Sequence, residues 1–372
     1  MHDLIASPAN GEHVVLRPGS RQALRIGERR FRELEVAVDC PSWLVDASRR
    51  AWSLNLLGRP IDDTVIVRKP TSYGFVRATH EVNLGCNYDC EHCYLGLKRF
   101  EGMTWPERER MLGVLRDVGV LWLQLTGGEP MIDRLFPEVY AHAYDLGMMI
   151  DILSNGSRLR VPRVLELLTK RPAHRITVSV YGATTDSYDA LTRRPGAFRL
   201  FCKGMAAGTE AGLPLALSLI VTRHNADELG AMKDLADRLG LPYEVYSNMS
   251  PTIHGGAETL PSQSVEHLRK RKPFTGCNAG HTFFHVDPHG KASICKIGRE
   301  PNVDLLTEGA DGLRGLGEIA DGLLLRQGGC TGCQLQGTCG TCMPLVQLYR
   351  KAESPLATYC QHRDPREEES AE

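Results

Sequence analysis

The stretch Cys86-Asn-Tyr-Asp-Cys90-Glu-His-Cys93 decides how this chain is read. It follows directly on Phe75–Asn83, an apolar run of strand character. Three thiols this close together can grip three irons of a four-iron cluster, a group that usually takes four cysteines. A missing fourth ligand leaves one iron open to a substrate or cofactor. Gly85 and Asn87 suit the tight loop that such a wrap needs. Taken alone, the spacing also allows a structural zinc site. Buried cysteines acting as small apolar side chains are a third reading.

Outward from this loop, short apolar runs alternate with helical patterns. Strands are predicted at Phe75–Asn83, Leu121–Thr126, Met148–Ser154, Arg175–Tyr181, Leu215–Thr222 and Tyr243–Asn248. They are rich in Val, Ile and Leu and are bounded by Gly, Asn or Ser. One predicted helix opens at Thr104 as N-cap, with Pro106 in its first turn and Met111, Val114 and Leu115 at helical spacing. Others are predicted at Asp133–Leu146, Pro162–Leu168, Phe198–Gly212 and Ala226–Leu239. Strand–helix units in series imply an α/β fold with a parallel sheet and crossover helices. Six units are too few to close an eight-fold barrel, so an open or partial barrel is expected. The second strand ends on Thr126-Gly127-Gly128-Glu129-Pro130, at the sheet edge where parallel α/β folds bind ligands. The glycines let backbone approach a ligand closely, and Glu129 offers a carboxylate to an ammonium group. An ordinary strand–helix turn would use the same residues.

With both motifs in place, the chain resembles the radical S-adenosylmethionine (radical SAM) superfamily. The resemblance rests on the CxxxCxxC spacing of Cys86, Cys90 and Cys93 and on Gly127-Gly128-Glu129-Pro130, and covers roughly residues 76–250. It implies a partial (β/α)6 TIM-like barrel and a [4Fe-4S] cluster whose open iron chelates S-adenosyl-L-methionine. Reductive cleavage of that cofactor would give a 5′-deoxyadenosyl radical that abstracts hydrogen from a substrate. The resemblance further implies that the turn Gly127–Pro130 holds the methionine amino group. His92 stands where the family backbone contacts adenine. Asn155, in Ser154-Asn155-Gly156, and Ser179, in Ser179-Val180-Tyr181-Gly182, match positions that line the cofactor. Both could equally cap helices. Asn83 departs from the Thr that many members carry.

The tail holds seven of the 12 cysteines. Cys277, Gly290 and Cys295 follow the order Cys-x12-Gly-x4-Cys. Cys330, Cys333, Cys339, Cys342 and Cys360 come after. Seven thiols can ligate up to two clusters, and a pair of zinc knuckles is the rival. This layout resembles the SPASM extension of radical enzymes that mature peptides and proteins. One spacing departs, because two residues rather than three separate Cys339 from Cys342. The resemblance assigns Cys330, Cys333, Cys339 and Cys360 to an outer auxiliary [4Fe-4S] cluster, and Cys277, Cys295 and Cys342 to an inner one. The inner cluster either keeps an open iron or takes His281, His285 or Asp287. Sulfatase-maturing relatives carry Asp at the position of Lys296, so a formylglycine-forming assignment is weakened. Three [4Fe-4S] clusters are implied in all, with a flavodoxin or ferredoxin as reductant.

The predicted units are residues 1–75, a small α+β element; 76–270, the radical SAM part; and 271–372, the cysteine-rich part. In the first, strands are predicted at His13–Leu16, Gln22–Ile26 and Thr64–Val67, and helices at Glu28–Val38 and Trp43–Leu57. This order resembles the winged-helix element that grips leader peptides in ribosomal-peptide pathways; a cap packed on the barrel is the alternative. A formal net charge of −1 implies no nucleic-acid partner, and the basic run Arg269–Lys272 reads as a solvated helix end. No apolar run of membrane-spanning length occurs, and Met1–Ser20 has no signal-peptide core, so a cytoplasmic protein is expected. In that compartment many cysteines argue for metal or redox chemistry rather than disulfides. The reading this favours is an enzyme that modifies a ribosomally made precursor peptide by cross-linking, epimerisation or oxidation. The alternatives are a radical dehydrogenase or epimerase of a small molecule such as an aminoglycoside-like sugar, and a non-catalytic zinc protein.

Overall fold

The computed structural model describes residues 2–9, 11–268, 272–335 and 337–360. Most of the basic run (Arg269, Lys270 and Arg271) and the acidic tail from residue 361 lie outside the described residues. The N-terminal unit has strands β1 (Leu4–Ala9), β2 (Glu12–Leu16) and β3 (Ala23–Ile26), helices α1 (Glu28–Val36), α2 (Ser42–Trp52) and α3 (Ile61–Thr64), then β4 (Val65–Val67). Its sheet runs β3-β2-β1-β4. The strand β1 went unpredicted because Pro8 inside Leu-Ile-Ala-Ser-Pro-Ala argues against a strand interior. Pro8 sits opposite His13 near the strand's end.

This unit has its own core of Leu4, Val15, Phe31, Leu34, Leu44, Trp52 and Leu56. The cap alternative required Trp43, Leu44, Trp52 and Leu56 on the barrel. Instead they belong to this local core, Trp43 at its margin. A second, smaller cluster joins the unit to the rest of the chain: Ile5 and Leu16 pack on Leu121 and Met149. The buried Arg68 guanidinium adds hydrogen bonds to the carbonyls of Val120 (2.7 Å), Gly147 (3.3 Å) and Arg116 (3.3 Å).

The main sheet takes β5 (Arg77–Glu81), β6 (Trp122–Thr126), β7 (Met149–Ser154), β8 (Arg175–Val180), β9 (Leu215–Ile220) and β10 (Tyr243–Tyr246) in sequence order, all parallel. Every predicted strand of this zone is present, shorter by a few residues at its ends. The helices are α4 (Trp105–Asp117), α5 (Phe136–Asp145), α6 (Pro162–Lys170), α7 (Thr185–Thr192), α8 (Ala197–Glu210) and α9 (Leu229–Arg238). At the start of α4, the Glu107 carboxylate accepts from both the backbone N–H and the hydroxyl of Thr104.

Strand alternation decides which face is core. On β6, Leu123 and Leu125 join the main core with Leu112 and Leu115 of α4 and Val139 of α5. Gln124 and Thr126 point the other way, into a cavity.

The C-terminal part adds β11 (Phe283–Val286), β12 (Lys291–Ser293) and β13 (Val303–Asp304), then α10 (Gly309–Gly312), α11 (Leu316–Leu324), α12 (Met343–Lys351) and α13 (Leu356–Tyr359). Here β11 pairs parallel with β5, so the sheet runs unbroken to β13. The boundary expected at 270/271 is therefore not an edge of the sheet. Among the described residues, no helix is long and apolar enough to cross a membrane.

Candidate active site

The loop after β5 carries the cysteine triplet, and two backbone contacts fasten it to the loop after β6. Gly128 N–H donates to Asn83 O (3.0 Å) and Glu129 N–H to Gly85 O (2.9 Å). The fit is too close for side chains. A Cβ on Gly127, whose φ is +137°, would overlap the Asn83 carbonyl oxygen; one on Gly128 would overlap that of Gly85. A third loop, at the end of β7, is laced to the same place. Asn155 Nδ2 donates to Asn87 Oδ1 (2.9 Å), and Asn87 Nδ2 to Ser157 Oγ (3.0 Å).

These loops surround a cavity of about 700 Å³. Of the predicted site residues, Cys86, Cys90, His92, Cys93, Gly127, Gly128, Asn155 and Ser179 line it. Glu129 and Pro130 do not. The Glu129 carboxylate is fully buried and turned inward, accepting from Met131 N–H (3.1 Å), Asn155 N–H (2.8 Å) and Ser154 Oγ (3.0 Å to each oxygen). It ties the second loop to the third. Burial raises its carboxyl to about 7 against the pull of those hydrogen bonds.

The three thiols share one environment. Burial, then the Glu129 charge and Cys93, push Cys86 up to about 12. Burial, then Cys93 and Cys86, raise Cys90 well above the ordinary thiol range. Thiols held this way become ligands only when a strong positive charge sits among them, and metal binding releases their protons. Tyr88 N–H already points at Cys86 Sγ (3.4 Å). Beside them, burial lowers His92 to about 4, so its ring is neutral at pH 7. Its Nδ1 is buried without a partner, and Tyr181 lies 5.4 Å away between ring centroids. The donor set and this orphaned nitrogen suit a cluster with a bound cofactor. Among the described residues, no three His, Cys, Asp or Glu side chains converge closely enough to hold one metal ion.

The tail cysteines fall into two sets. Cys330, Cys333, Cys339 and Cys360 wall a separate cavity of about 230 Å³, with Val346 and Arg350 of α12 alongside. Leu335 N–H points at Cys333 Sγ (3.4 Å). Cys277, Cys295 and Cys342 lie outside that wall, and the thiol of Cys342, the residue just ahead of α12, is raised chiefly by burial. Gly298 N–H donates to Cys295 Sγ (3.2 Å).

The candidates for a fourth inner ligand are otherwise engaged. His281 Nε2 lies 2.8 Å from Asp321, and Asp287 Oδ1 accepts from the backbone of His289 and Lys291. His285 has Nδ1 2.7 Å from Thr79 Oγ1 and Nε2 3.4 Å from Glu81.

Glu81 is the hub that sequence reasoning missed. It ends β5 fully buried and receives Arg299 on both oxygens (2.9 and 2.7 Å) and the Tyr94 hydroxyl (3.1 Å). Burial alone would raise its carboxyl, but the His285 ring 3.4 Å away and the two Arg299 hydrogen bonds hold it well below the usual range. Lys296 lies over Tyr94, 4.8 Å from the ring centroid, and opens into the main cavity. Within β5, Arg-Ala-Thr-His-Glu, no local pattern sets Glu81 apart from its polar neighbours. Nothing local marks Arg21, which reaches the cavity from the loop between β2 and β3.

Residues 81–236 match the family described as the Radical SAM superfamily. The chain carries a radical SAM domain. It is 28% identical to the AdoMet-dependent heme synthase of Methanosarcina barkeri over 47% of this chain and 51% of that protein. It is 27% identical to the mycofactocin maturase MftC of Mycobacterium ulcerans over 59% of this chain and 63% of that one. The chain spans about half the length of the first curated relatives it matches. In fold it is similar to Streptococcus suis SuiB bound to precursor peptide SuiA, with a TM-score of 0.64, 15% identity and coverage of 97% of this chain and 99% of that one.

Proposed function

We propose that this protein is a radical SAM enzyme that modifies a ribosomally synthesised precursor peptide. In this reading the six parallel strands are the partial (β/α)6 barrel and residues 271–372 a SPASM-type auxiliary domain. Residues 1–75 bind the leader. The observation that carries the reading is the convergence of Cys86, Cys90 and Cys93 with Gly127, Gly128 and Asn155 on one cavity. Cys86, Cys90 and Cys93 would hold the radical-generating cluster; Cys330, Cys333, Cys339 and Cys360 the outer auxiliary one; and Cys277, Cys295 and Cys342 the inner one. When bound, the cluster and S-adenosyl-L-methionine would supply a 5′-deoxyadenosyl radical able to take hydrogen from an unactivated carbon. The protein's own share is positional. Gly127 and Gly128 let the backbone form the cavity wall, Glu129 fixes Asn155 from behind, and His92 and Tyr181 form an aromatic wall beside the cysteines.

The peptide assignment draws support from the mycofactocin maturase relative and from the N-terminal unit, whose separate core is more than a cap requires. In that unit β3 is an outer strand, fit to accept a leader by strand addition. The heme synthase relative favours the rival reading, a dehydrogenase or epimerase of a small molecule.

The test is anaerobic reconstitution with iron and sulfide, followed by S-adenosyl-L-methionine and a strong reductant. The wild-type chain is expected to release 5′-deoxyadenosine, and the C86A/C90A/C93A variant to release none. Cofactor cleavage that persists in the triple variant overturns the site. A mass change in a peptide encoded beside the gene decides between the peptide and small-molecule readings.

A further inference from the structure

The main cavity does not end at the cysteines. It runs along the sheet face to the other end of the strands, where Gln124, Arg175 and Thr177 line both it and an adjoining pocket of about 250 Å³. Arg77 and Arg175, the first residues of β5 and β8, enter this pocket; Arg21 approaches from the N-terminal unit.

Charge there is left unbalanced. Deeper in the fold Arg108 pairs with Asp133 at 3.0 Å and Arg299 with Glu81 at 2.7 Å, while buried Arg68 is held by backbone carbonyls. Arg77, Arg175 and Arg21 are exposed, and among the described residues none of the three has a carboxylate within ion-pair distance. Asp151 is the near exception by position. It stands directly opposite Arg175 across β7 and β8, where a cross-strand ion pair would form. Its carboxylate is held instead by His174 Nδ1 at 2.8 Å, and the His174 ring is set edge-on to Trp122, with centroids 4.8 Å apart. Glu244, the other acid on this side of the cavity, is further along, in register with Ser218, and accepts from the Tyr246 hydroxyl at 2.8 Å.

We propose that this mouth is a carboxylate-binding subsite, in which Arg77 and Arg175, assisted by Arg21, dock an acidic group of the substrate while the rest of it extends toward the cysteines. The inference rests on the reading that the cavity receives a peptide. The planar guanidinium matches a carboxylate bidentately, and two of them on one wall fix its orientation as well as its charge. The acid comes from a glutamate or aspartate side chain or from the peptide's C-terminus.

The test uses the reconstituted full chain and Gly/Ser decapeptides labelled with an uncharged boron-dipyrromethene dye. One carries two glutamates and an amidated C-terminus. A second carries glutamines with a free C-terminus, a third glutamines with an amidated C-terminus, and a fourth lysines with an amidated C-terminus. Fluorescence anisotropy is expected to give about tenfold tighter binding of the first or the second than of the third, which identifies the source of the carboxylate. R77Q/R175Q is expected to erase that preference, and R77E/R175E to turn it toward the lysine peptide. That reversal is a gain which a misfolded variant cannot produce. Equal binding of all four peptides, or an acidic preference that survives R77E/R175E, overturns the subsite while leaving the peptide reading intact. If no peptide binds but free glutarate protects the arginines from phenylglyoxal in the wild-type chain, the subsite stands and the peptide reading falls.

Discussion

Glu129 shows how one residue type can be legible and its role not. The Gly-Gly-Glu-Pro turn marked a ligand site, and the glycines do line the cavity. The carboxylate has turned away to bind Ser154 and two backbone amides. Its pKa makes a prediction. The folded value of about 7 lies above the ordinary 4.5, so the native state keeps a proton that the unfolded chain releases. Stability is then fullest below about pH 4.5 and is lost as pH rises through about 7, by roughly 3 kcal/mol for this group. Urea melts of the metal-free chain between pH 5 and 8 are expected to show this fall, and E129Q to flatten it. Glu81 behaves in the opposite sense. Its E81A variant leaves Arg299 without its counter-charge, and a loss of about 3–5 kcal/mol is expected in the same melts. A change below 1 kcal/mol would show that the hub is dispensable.

At the scale of elements, the strands were legible because alternation and β-branched composition are local signals. Their ends were less so: Leu121 and Met148, read as strand, lie just outside β6 and β7. The tail was legible as cysteine spacing but not as structure. Nothing in Phe283–Val286 announces that it extends the main sheet through β5. The outer cysteine set draws on Cys330, Cys333 and Cys339 ahead of α12 and on Cys360 beyond it, so one substitution tests the whole arrangement. Replacing Cys333 with Ala is expected to lower iron content by about four per chain, from about twelve in a three-cluster protein. Unchanged iron would place Cys333 outside any cluster.

For the whole molecule, the N-terminal unit both stands alone and leans on the sheet. Removing residues 1–70 uncovers Leu121 and Met149 and takes away the Arg68 hydrogen bonds. Burial of two such side chains contributes about 1.5–3 kcal/mol each, so a chain starting at Thr71 is expected to be destabilised by about 3–6 kcal/mol. It still holds every described cavity residue except Arg21. Weakened stability with retained 5′-deoxyadenosine release and lost binding of the precursor would fit a leader-binding unit. Normal binding and modification of the precursor by the truncated chain would exclude that role.

The sequence by itself determined what lies within a few residues or follows a period. That includes the cysteine triplet, the glycine turn, and the six strands with most of their helices. Spacing along the chain is enough for these, because the geometry each needs is carried by adjacent residues. Only the tertiary structure decided what depends on partners far apart in sequence. Glu81 meets Arg299 across 218 positions, and His285 meets Thr79 across 206. Asp151 binds His174 rather than Arg175, although cross-strand register alone would favour the arginine. Long-range contacts of this kind are set by which elements the packed sheet brings side by side and which side chains then lie within hydrogen-bond distance, and no local pattern encodes that.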